Sequence, residues 1–203
     1  MLRSYLIDGV LAGAMISFGA AVLLSCDNRY LGAFLFSVAL LSICFFGFNL
    51  YTGKVGFLIG SHQKAALQEL FCGLLGNAAA TLLFGLLLAY ALPQLRETAL
   101  AACEKRMTQL PLQTLVRAFF CGVLMYVAVW VYREKKTPLG ILFCIPVFIL
   151  SGYEHSIADM AYFSIAGLFR PQSLAFLLLV VLGNSIGGLF IPFLQLLKGG
   201  PHG

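Results

Sequence analysis

The sequence predicts an all-α membrane protein whose six transmembrane helices form two inverted three-helix repeats with broken second and fifth helices. Hydrophobic residues make up 61% of the 203 residues, charged residues make up only 10%, and the mean hydropathy is +0.94. Soluble domains carry about 25% charged residues. Six spans of about 20 residues each leave no space for a sizeable soluble domain. We therefore expect a single transmembrane domain over residues 1–203 and a function that resides within the membrane.

The first half of the chain, residues 1–93, contains three predicted spans, at 6–25, 31–51 and 70–92. Gly9 and Gly13 give the first span a small face for close helix contact. The second span breaks between Asn49 and Lys54. A break in a lipid-facing helix is tolerated only where the freed backbone lines a cavity or packs against protein. An amphipathic connection over residues 61–69 leads to the third span.

A polar connecting loop, residues 94–109, leads to the second half, residues 110–198. Its spans are predicted at 110–132, from Pro138 through a break at Glu154–His155, and at 174–197. The loop Arg133–Lys136 is the densest basic cluster, and the positive-inside rule assigns it to the cytoplasm. Six spans then put both termini in the cytoplasm. The remaining Lys and Arg residues give only a weak bias, so this orientation depends mainly on that loop.

Charge and motif content argue against several other classes. The net charge is +5, but the basic residues are scattered among loop ends without interleaved aromatics, so no nucleic-acid partner is expected. The six cysteines form no CxxC pair and lie near no histidine at ligand spacing, which predicts no metal site. The sequence lacks HExxH and a second intramembrane histidine beside a nucleophile, so we expect no enzyme. His62 and His202 fall in a loop and the tail, which leaves too few haem ligands, and no cofactor is expected.

A short polar stretch, Ser151–Met160, interrupts the fifth span. It contains Glu154, His155 and Asp159 within a run that is otherwise apolar. A charged group near the bilayer centre costs at least about 2.5 kcal/mol, so such residues normally face a protein interior or a water-filled path. We interpret this stretch as the chemical centre of a membrane pore.

The two halves share a repeated pattern. The tripeptide ending in Asn77 in the third span recurs as the tripeptide ending in Asn184 in the sixth, and Gly9 and Gly13 match Ala118 and Gly122 at nearly the same offset. Halves with an odd number of spans insert in opposite senses, and interrupted helices at matching positions point to a binding site near the midplane. The repeat therefore predicts that the two breaks meet.

Three segments together resemble the formate/nitrite transporter family over nearly the whole chain. Asn49–Gly53 is similar to that family's Glu-Leu-Phe-Thr-Gly, and Gly152–Met160 is similar to Gly-Phe-Glu-His-Ser-Ile-Ala-Asn-Met, with Tyr153 and Asp159 as the changes. Gly183–Gly188 matches Gly-Asn-x-x-Gly-Gly. Two other departures are Gly122, where the family usually has asparagine in the pore wall, and Arg106, where it has a lysine that guards the outer vestibule.

Membership implies an aquaporin-like protomer in a homopentamer, with one pore per subunit for small monovalent anions such as formate, nitrite or hydrosulfide. It also implies a multi-pass protein of a prokaryotic inner membrane. His155 and Thr52 would form the centre of the pore. The constrictions implied around them are Leu40, Leu50, Tyr51, Met125 and Phe148, and the last lies two helical turns before His155 on one face.

A proton at His155 is our sequence-based hypothesis for transport. A bare anion cannot cross two apolar constrictions because burying an unpaired charge is prohibitively expensive. An unperturbed imidazole titrates near pH 6.5, at about the pH where proton sharing is needed. The outer basic residues Arg96, Lys105 and Arg106 would concentrate anions, and Thr52 would orient the ring.

Four further residues are expected to support the pore. Glu154 is predicted to bond to backbone amides or a subunit interface, and Asp159 to cap the following helix or raise the basicity of His155, with the cap preferred. Asn77 and Asn184, which the repeat brings into correspondence, are expected to have a supporting role. Two alternatives stay open: His155 holds the breaks together without contacting substrate, or the whole chain is a non-transporting structural or assembly subunit.

Overall fold

The computed structural model describes residues 1–59, 61 and 64–199, and within them the chain forms nine α-helices. A 3₁₀ turn, Val55–Leu58, follows the third helix. The helices are α1 Leu2–Ser25, α2 Arg29–Phe46, α3 Tyr51–Lys54, α4 Lys64–Ala91, α5 Gln94–Met107, α6 Pro111–Lys135, α7 Leu139–Ser151, α8 Ser156–Ala166 and α9 Pro171–Leu197. His62 and His202, which entered the haem argument, lie outside the described residues.

The predicted helical membrane class is confirmed by the apolar helices. Within the described residues, five helices (α1, α2, α4, α6 and α9) are long and apolar enough to cross a membrane. The pair α7 and α8, bent by 56°, is apolar enough to count as a sixth span if its two helices cross the membrane as one. The second predicted span is shorter than expected, because α2 ends at Phe46 and the chain resumes as α3 at Tyr51.

The connecting segment 94–109 is not the loop that its polarity predicted, because α5 occupies most of it. Leu95, Ala99 and Cys103 recur at helical spacing and are buried, so one apolar stripe is enough to dock this otherwise polar helix. Glu97 in the first turn and Arg106 in the last turn complement the helix dipole. Helix α5 packs mainly on α8, at one end of the bundle.

Glycines set both interruptions. The residue that follows α2 is Gly47, with φ 74°, and the residue that follows α7 is Gly152, with φ 71°. Only glycine adopts this left-handed conformation without a steric penalty, so each helix stops at a defined residue. The chain then runs for a few extended residues before α3 or α8 begins.

Two helix pairs form the framework, α1 against α4 and α6 against α9. A Cβ atom on Gly13 would lie 2.7 Å from the Asn77 carbonyl oxygen, and one on Gly122 would lie 2.3 Å from the Asn184 carbonyl oxygen. The structure therefore gives Gly122 a different role from the one expected. It allows α6 and α9 to touch, and at this spacing no asparagine side chain fits there.

Candidate functional site

The two interruptions meet at a buried hydrogen bond between Thr52 and His155. The Oγ1 atom of Thr52 lies 2.8 Å from Nε2 of His155, although the residues are far apart in sequence. The side chains are 1% and 2% exposed. The contact arises because Thr52 lies in the first turn of α3 and His155 immediately precedes α8.

The second ring nitrogen of His155 caps α8. Nδ1 accepts a hydrogen bond from the backbone N–H of Ala158 at 3.1 Å, so His155 is itself the N-cap. An amide N–H can only donate, which means that Nδ1 carries no proton. The ring proton is therefore on Nε2, and the neutral imidazole donates it to Thr52.

Asn77 satisfies the backbone freed at the first interruption. Its amide nitrogen donates to the carbonyl oxygens of Gly9 and Asn49 at 2.8 and 2.9 Å, and its oxygen accepts from the N–H of Tyr51 at 2.9 Å. The Asn49 carbonyl and the Tyr51 N–H lie at the interruption and have no partner within a helix, and leaving such groups unpaired in an apolar environment costs several kcal/mol each. Asn77 thus joins α1 and α4 to the start of α3.

Asn184 makes the corresponding set of bonds at the second interruption. Its nitrogen donates to the carbonyl oxygens of Ala118 and Glu154 at 2.8 and 2.9 Å, and its oxygen accepts from the N–H of Ser156 at 2.8 Å. Gly9 and Ala118 occupy matching positions in the two halves of the sequence, and the carbonyl oxygen of each accepts a hydrogen bond from an asparagine side chain. Both asparagines are fully buried.

Apolar side chains surround the Thr52–His155 contact. The Phe148 ring stacks on the imidazole with centroids 5.6 Å apart and planes at 20°. This contact is not the result of two turns of one helix, because α7 ends at Ser151 and the chain turns at Gly152. The remaining residues expected in the constrictions are buried: Leu40, Leu50, Tyr51 and Met125.

Tyr51 is anchored at its hydroxyl. Its oxygen lies 2.7 Å from Oγ of Ser185, which itself donates to the carbonyl of Val181. Because the hydroxyl of Ser185 is used in that bond, Tyr51 is the donor in the first. The aromatic ring is therefore held against α9.

A cavity opens on each side of this apolar layer. One, of 530 Å³, is lined by Leu40 and Leu50 and carries Arg133 and the ion pair Lys54–Glu69. The other, of 460 Å³, is lined by Phe148 and His155 and carries basic residues. We refer to the first as the inner cavity and to the second as the outer cavity, names that follow the orientation expected from the sequence. The basic residues of the outer cavity are Arg29, Lys105, Arg106 and Arg117.

Arg106 is balanced by two carboxylates at the floor of the outer cavity. Its Nε donates to Oε2 of Glu154 at 2.9 Å and to Oδ1 of Asp159 at 3.1 Å. Burial alone would lower the pKa of the Arg106 guanidinium, but Asp159 and Glu154 outweigh burial and raise it. Arg106 is consequently not an unpaired cation facing the cavity, as the sequence suggested.

Glu154, Asp159 and Arg96 also make contacts that differ from those expected within the protomer. The carboxylate of Glu154 binds side chains, since Oε1 accepts from Nε2 of Gln109 at 2.6 Å, rather than backbone amides. Asp159 lies in the first turn of α8 but does not cap it, because His155 does. Arg96, also expected in the vestibule, has its guanidinium beside Gly167, and it is not among the residues that line the outer cavity.

Sequence reasoning missed three members of the outer cavity. Gln109 holds Glu154, Arg117 lines the wall, and Arg29 donates from Nη2 to the carbonyl oxygens of Ile149 and Leu150, both at 3.2 Å. A cation that meets the last carbonyls of a helix stabilises its C-terminus. The only available signal was the position of each polar residue near the predicted end of a span.

The family can now be assigned. A model of the formate/nitrite transporter family matches residues 1–197. The chain belongs to this family. The resemblance noted in the sequence is thereby confirmed, and the paired interruptions lie in segments that carry it.

Curated members of the formate/nitrite transporter family are similar to this chain over most of its length. "Nitrite transporter NirC" of Salmonella typhimurium is 28% identical over 215 positions, covering 90% of this chain and 78% of that protein. The protein of the same name from Escherichia coli is 27% identical over 216 positions with the same coverage.

Two solved structures share the fold. An "FNT family ion channel" superimposes with a TM-score of 0.86 and 23% identity, covering 97% of this chain and 90% of that one. A "Pentameric formate channel with formate bound" gives a TM-score of 0.79 and 21% identity, covering 98% and 97%.

Proposed function

We propose that this protein is a multi-pass inner-membrane channel or transporter for small monovalent anions of weak acids, such as formate, nitrite or hydrosulfide. The observation that carries the proposal is the buried Thr52–His155 pair between two cavities, with apolar side chains on either side. Family membership supports it, as do the names of the bacterial nitrite transporters that the chain resembles.

The proposed assembly is a homopentamer with one pore per protomer, built from two inverted repeats and with both termini in the cytoplasm. The matching bonds of Asn77 and Asn184 at their respective interruptions support the repeats. The similarity to a pentameric formate channel supports the oligomeric state.

Anions enter from the outer cavity in this proposal. Lys105, Arg117 and Arg29 raise the local anion concentration, because clefts lined by one sign of charge focus the field. Arg106 contributes little, since Glu154 and Asp159 bind it. The anion then reaches His155 beside the Phe148 ring.

At His155 the neutral ring offers one N–H, which is shared with Thr52. Nε2 first donates that hydrogen bond to the anion in place of Thr52. If the anion takes the proton, Nδ1 gains one from a hydronium ion of the outer solution and water is left, so that the ring stays neutral with its proton on the other nitrogen. That step costs the hydrogen bond from Ala158. The neutral acid crosses the second constriction without the penalty of a bare charge.

Flux into proteoliposomes tests the proposal. We expect uptake of formate, nitrite or hydrosulfide that is faster at acidic pH, and much slower uptake of the larger lactate. His155→Phe removes the donor, and we expect at least about a hundredfold loss, the lower end of what one positioned proton-transfer group contributes. His155→Asn serves as the comparison that retains a hydrogen-bond donor.

Two results would contradict it. Equal flux and equal pH dependence for the wild type and His155→Phe would remove the histidine from the transport step. A correctly assembled wild type without flux for any of these anions would instead favour a structural or assembly subunit.

A further inference from the structure

The floor of the outer cavity carries one cation and two buried carboxylates. Glu154 is 3% exposed and Asp159 is 1% exposed, and both accept from the same Nε of Arg106. With both carboxylates ionised, this cluster, which we call the Arg106 triad, has a net charge of −1. A second buried carboxylate that shares one cation is disfavoured by repulsion from the first.

One oxygen of the Arg106 triad has no partner. Oδ2 of Asp159 is buried and makes no hydrogen bond to any of the described residues. The remaining three carboxylate oxygens accept from Arg106 or Gln109. An ionised oxygen without a donor is costly to bury, whereas a protonated carboxyl carries no such charge. The unpartnered oxygen therefore marks a position for a proton.

We propose that Glu154 and Asp159 together bind one proton at neutral pH, and that loss of this proton makes the floor of the outer cavity negative and slows anion entry. The proton-binding site follows from the geometry of the Arg106 triad, while its effect on entry rests on the proposed function. The proton belongs to the pair and is not assigned to either carboxyl alone.

The other titratable groups near the Arg106 triad do not account for the proposed proton. Burial raises the pKa of the Cys103 thiol to about 12, so that thiol stays neutral. Both nitrogens of His155 are already hydrogen-bonded. The groups that face the pair are Arg106 and Cys103 on α5, Cys121 on α6, Tyr162 on α8 and His155, while Arg29, Lys105 and Arg117 line the same cavity and stay positive.

The direction of the pH effect follows from the charges. At low pH the protonated pair and Arg106 sum to zero, and the remaining cations of the outer cavity attract anions. As the pH rises the pair loses its proton, the triad becomes −1, and anions meet a negative group next to His155. A lower proton concentration alone reduces flux at alkaline pH. The negative charge of the Arg106 triad should reduce it further.

Infrared spectroscopy of the purified protein without added anion tests the site itself. We expect the C=O stretch of a protonated carboxyl in the wild type at neutral pH, its loss at alkaline pH, and its absence in Asp159→Asn. The matched control is Glu104→Gln, which removes an exposed carboxylate of α5 and should leave the band unchanged. Identical spectra for the wild type and Asp159→Asn would overturn the proposal.

Flux measurements test the consequence. Asp159→Asn leaves one cation and one carboxylate, so the pair of Arg106 and Glu154 stays neutral at alkaline pH. Its flux at alkaline pH should therefore exceed that of the wild type by about tenfold, the lower end of electrostatic effects on entry rates. Glu104→Gln should follow the wild type. An alkaline flux of Asp159→Asn equal to or below that of the wild type overturns the effect on entry. A wild type that shows the infrared band but no flux would disprove the proposed function and leave the proton site standing.

Discussion

His155 uses both ring nitrogens for bonds within the protein. Nε2 donates to Thr52 and Nδ1 accepts from Ala158, so the side chain fixes a helix start and offers a proton at the same time. The structural and chemical interpretations of this histidine are therefore not exclusive. Substitutions of Thr52 separate the two roles of His155 better than substitutions of His155 itself, because they leave the hydrogen bond to Ala158 in place.

Thr52→Val removes the hydroxyl while keeping the shape. We expect flux to fall by up to about tenfold. The free energy of unfolding should fall by about 1 kcal/mol, the net value of one hydrogen bond. Thr52→Ser should restore most of the flux. Thr81→Val is the control, since its hydroxyl donates to carbonyls of its own helix, and it should leave flux unaltered. Proteoliposome uptake and thermal unfolding measure both quantities, and equal uptake by Thr52→Val and the wild type would contradict the orienting role.

Arg106 is the counterion of two buried carboxylates, so its removal should be severe. Breaking a buried ion pair by removing one partner costs about 3–5 kcal/mol. We expect Arg106→Gln to lower the thermal unfolding temperature strongly at neutral pH and less at acidic pH, where the carboxyls take up protons. Arg106→Lys keeps the charge and should lose much less stability. A pH-independent loss would indicate that packing, and not charge, explains the effect.

At the scale of elements, each asparagine connects three helices. Asn184→Asp keeps the acceptor for the N–H of Ser156 but loses the donor to two carbonyl oxygens, and Asn77→Asp does the same for the N–H of Tyr51. An unsatisfied buried acceptor costs about 1–3 kcal/mol. We expect similar losses of thermal stability for both variants if the two halves are repeats of one design. A loss confined to one of them would argue against the repeat.

The close contact of α6 and α9 depends on glycine. A Cβ on Gly122 would lie 2.3 Å from the Asn184 carbonyl oxygen, so Gly122→Ala must push the helices apart. Overpacking of this kind costs about 1–3 kcal/mol, and the shift also moves Asn184. We expect less folded protein in detergent and slower uptake. Gly32→Ala, where a Cβ atom would meet only side-chain atoms at 3.0 Å or more, is the comparison, and a folded, fully active Gly122→Ala would contradict the packing role.

The sequence predicts the elements that lie within the membrane better than those outside it. Long apolar runs define the spans, and the repeated Leu-Gly-Asn pattern predicts that Thr52 and His155 meet. The helix α5 is missed because its few buried residues lie in a polar segment and its partner α8 is distant in sequence. The binding of Arg106 to Glu154 and Asp159 is missed for a similar reason, since local sequence does not indicate which cation meets which carboxylate.

For the whole molecule, the two cavities differ in charge. The inner cavity contains the ion pair Lys54–Glu69 and Arg133, whereas the outer cavity has several basic residues beyond those that Glu154 and Asp159 bind. Exposed charges act through solvent, and salt screens them over about 10 Å at 0.1 M. The outer cavity is therefore where ionic strength should matter most.

Lys105→Gln combined with Arg117→Gln should slow anion entry from the outer side at low salt by about tenfold and have little effect at high salt. Lys198→Gln removes an exposed lysine beyond the end of α9 and is the control. Uptake measured at two salt concentrations in oriented vesicles tests this prediction. A loss of equal size at both concentrations would show that these residues act by contact and not through their field.

The bonds of Asn77 and Asn184 also bear on biosynthesis. Every partner of the Asn77 side chain precedes it in the first half of the chain, and every partner of the Asn184 side chain precedes it in the second half. During synthesis, the backbone groups of each interruption gain their asparagine partner only after the last long helix of the same half, α4 or α9, has been made. The first half can then complete its backbone pairing before the second is synthesised, and the Thr52–His155 bond forms only when both are present.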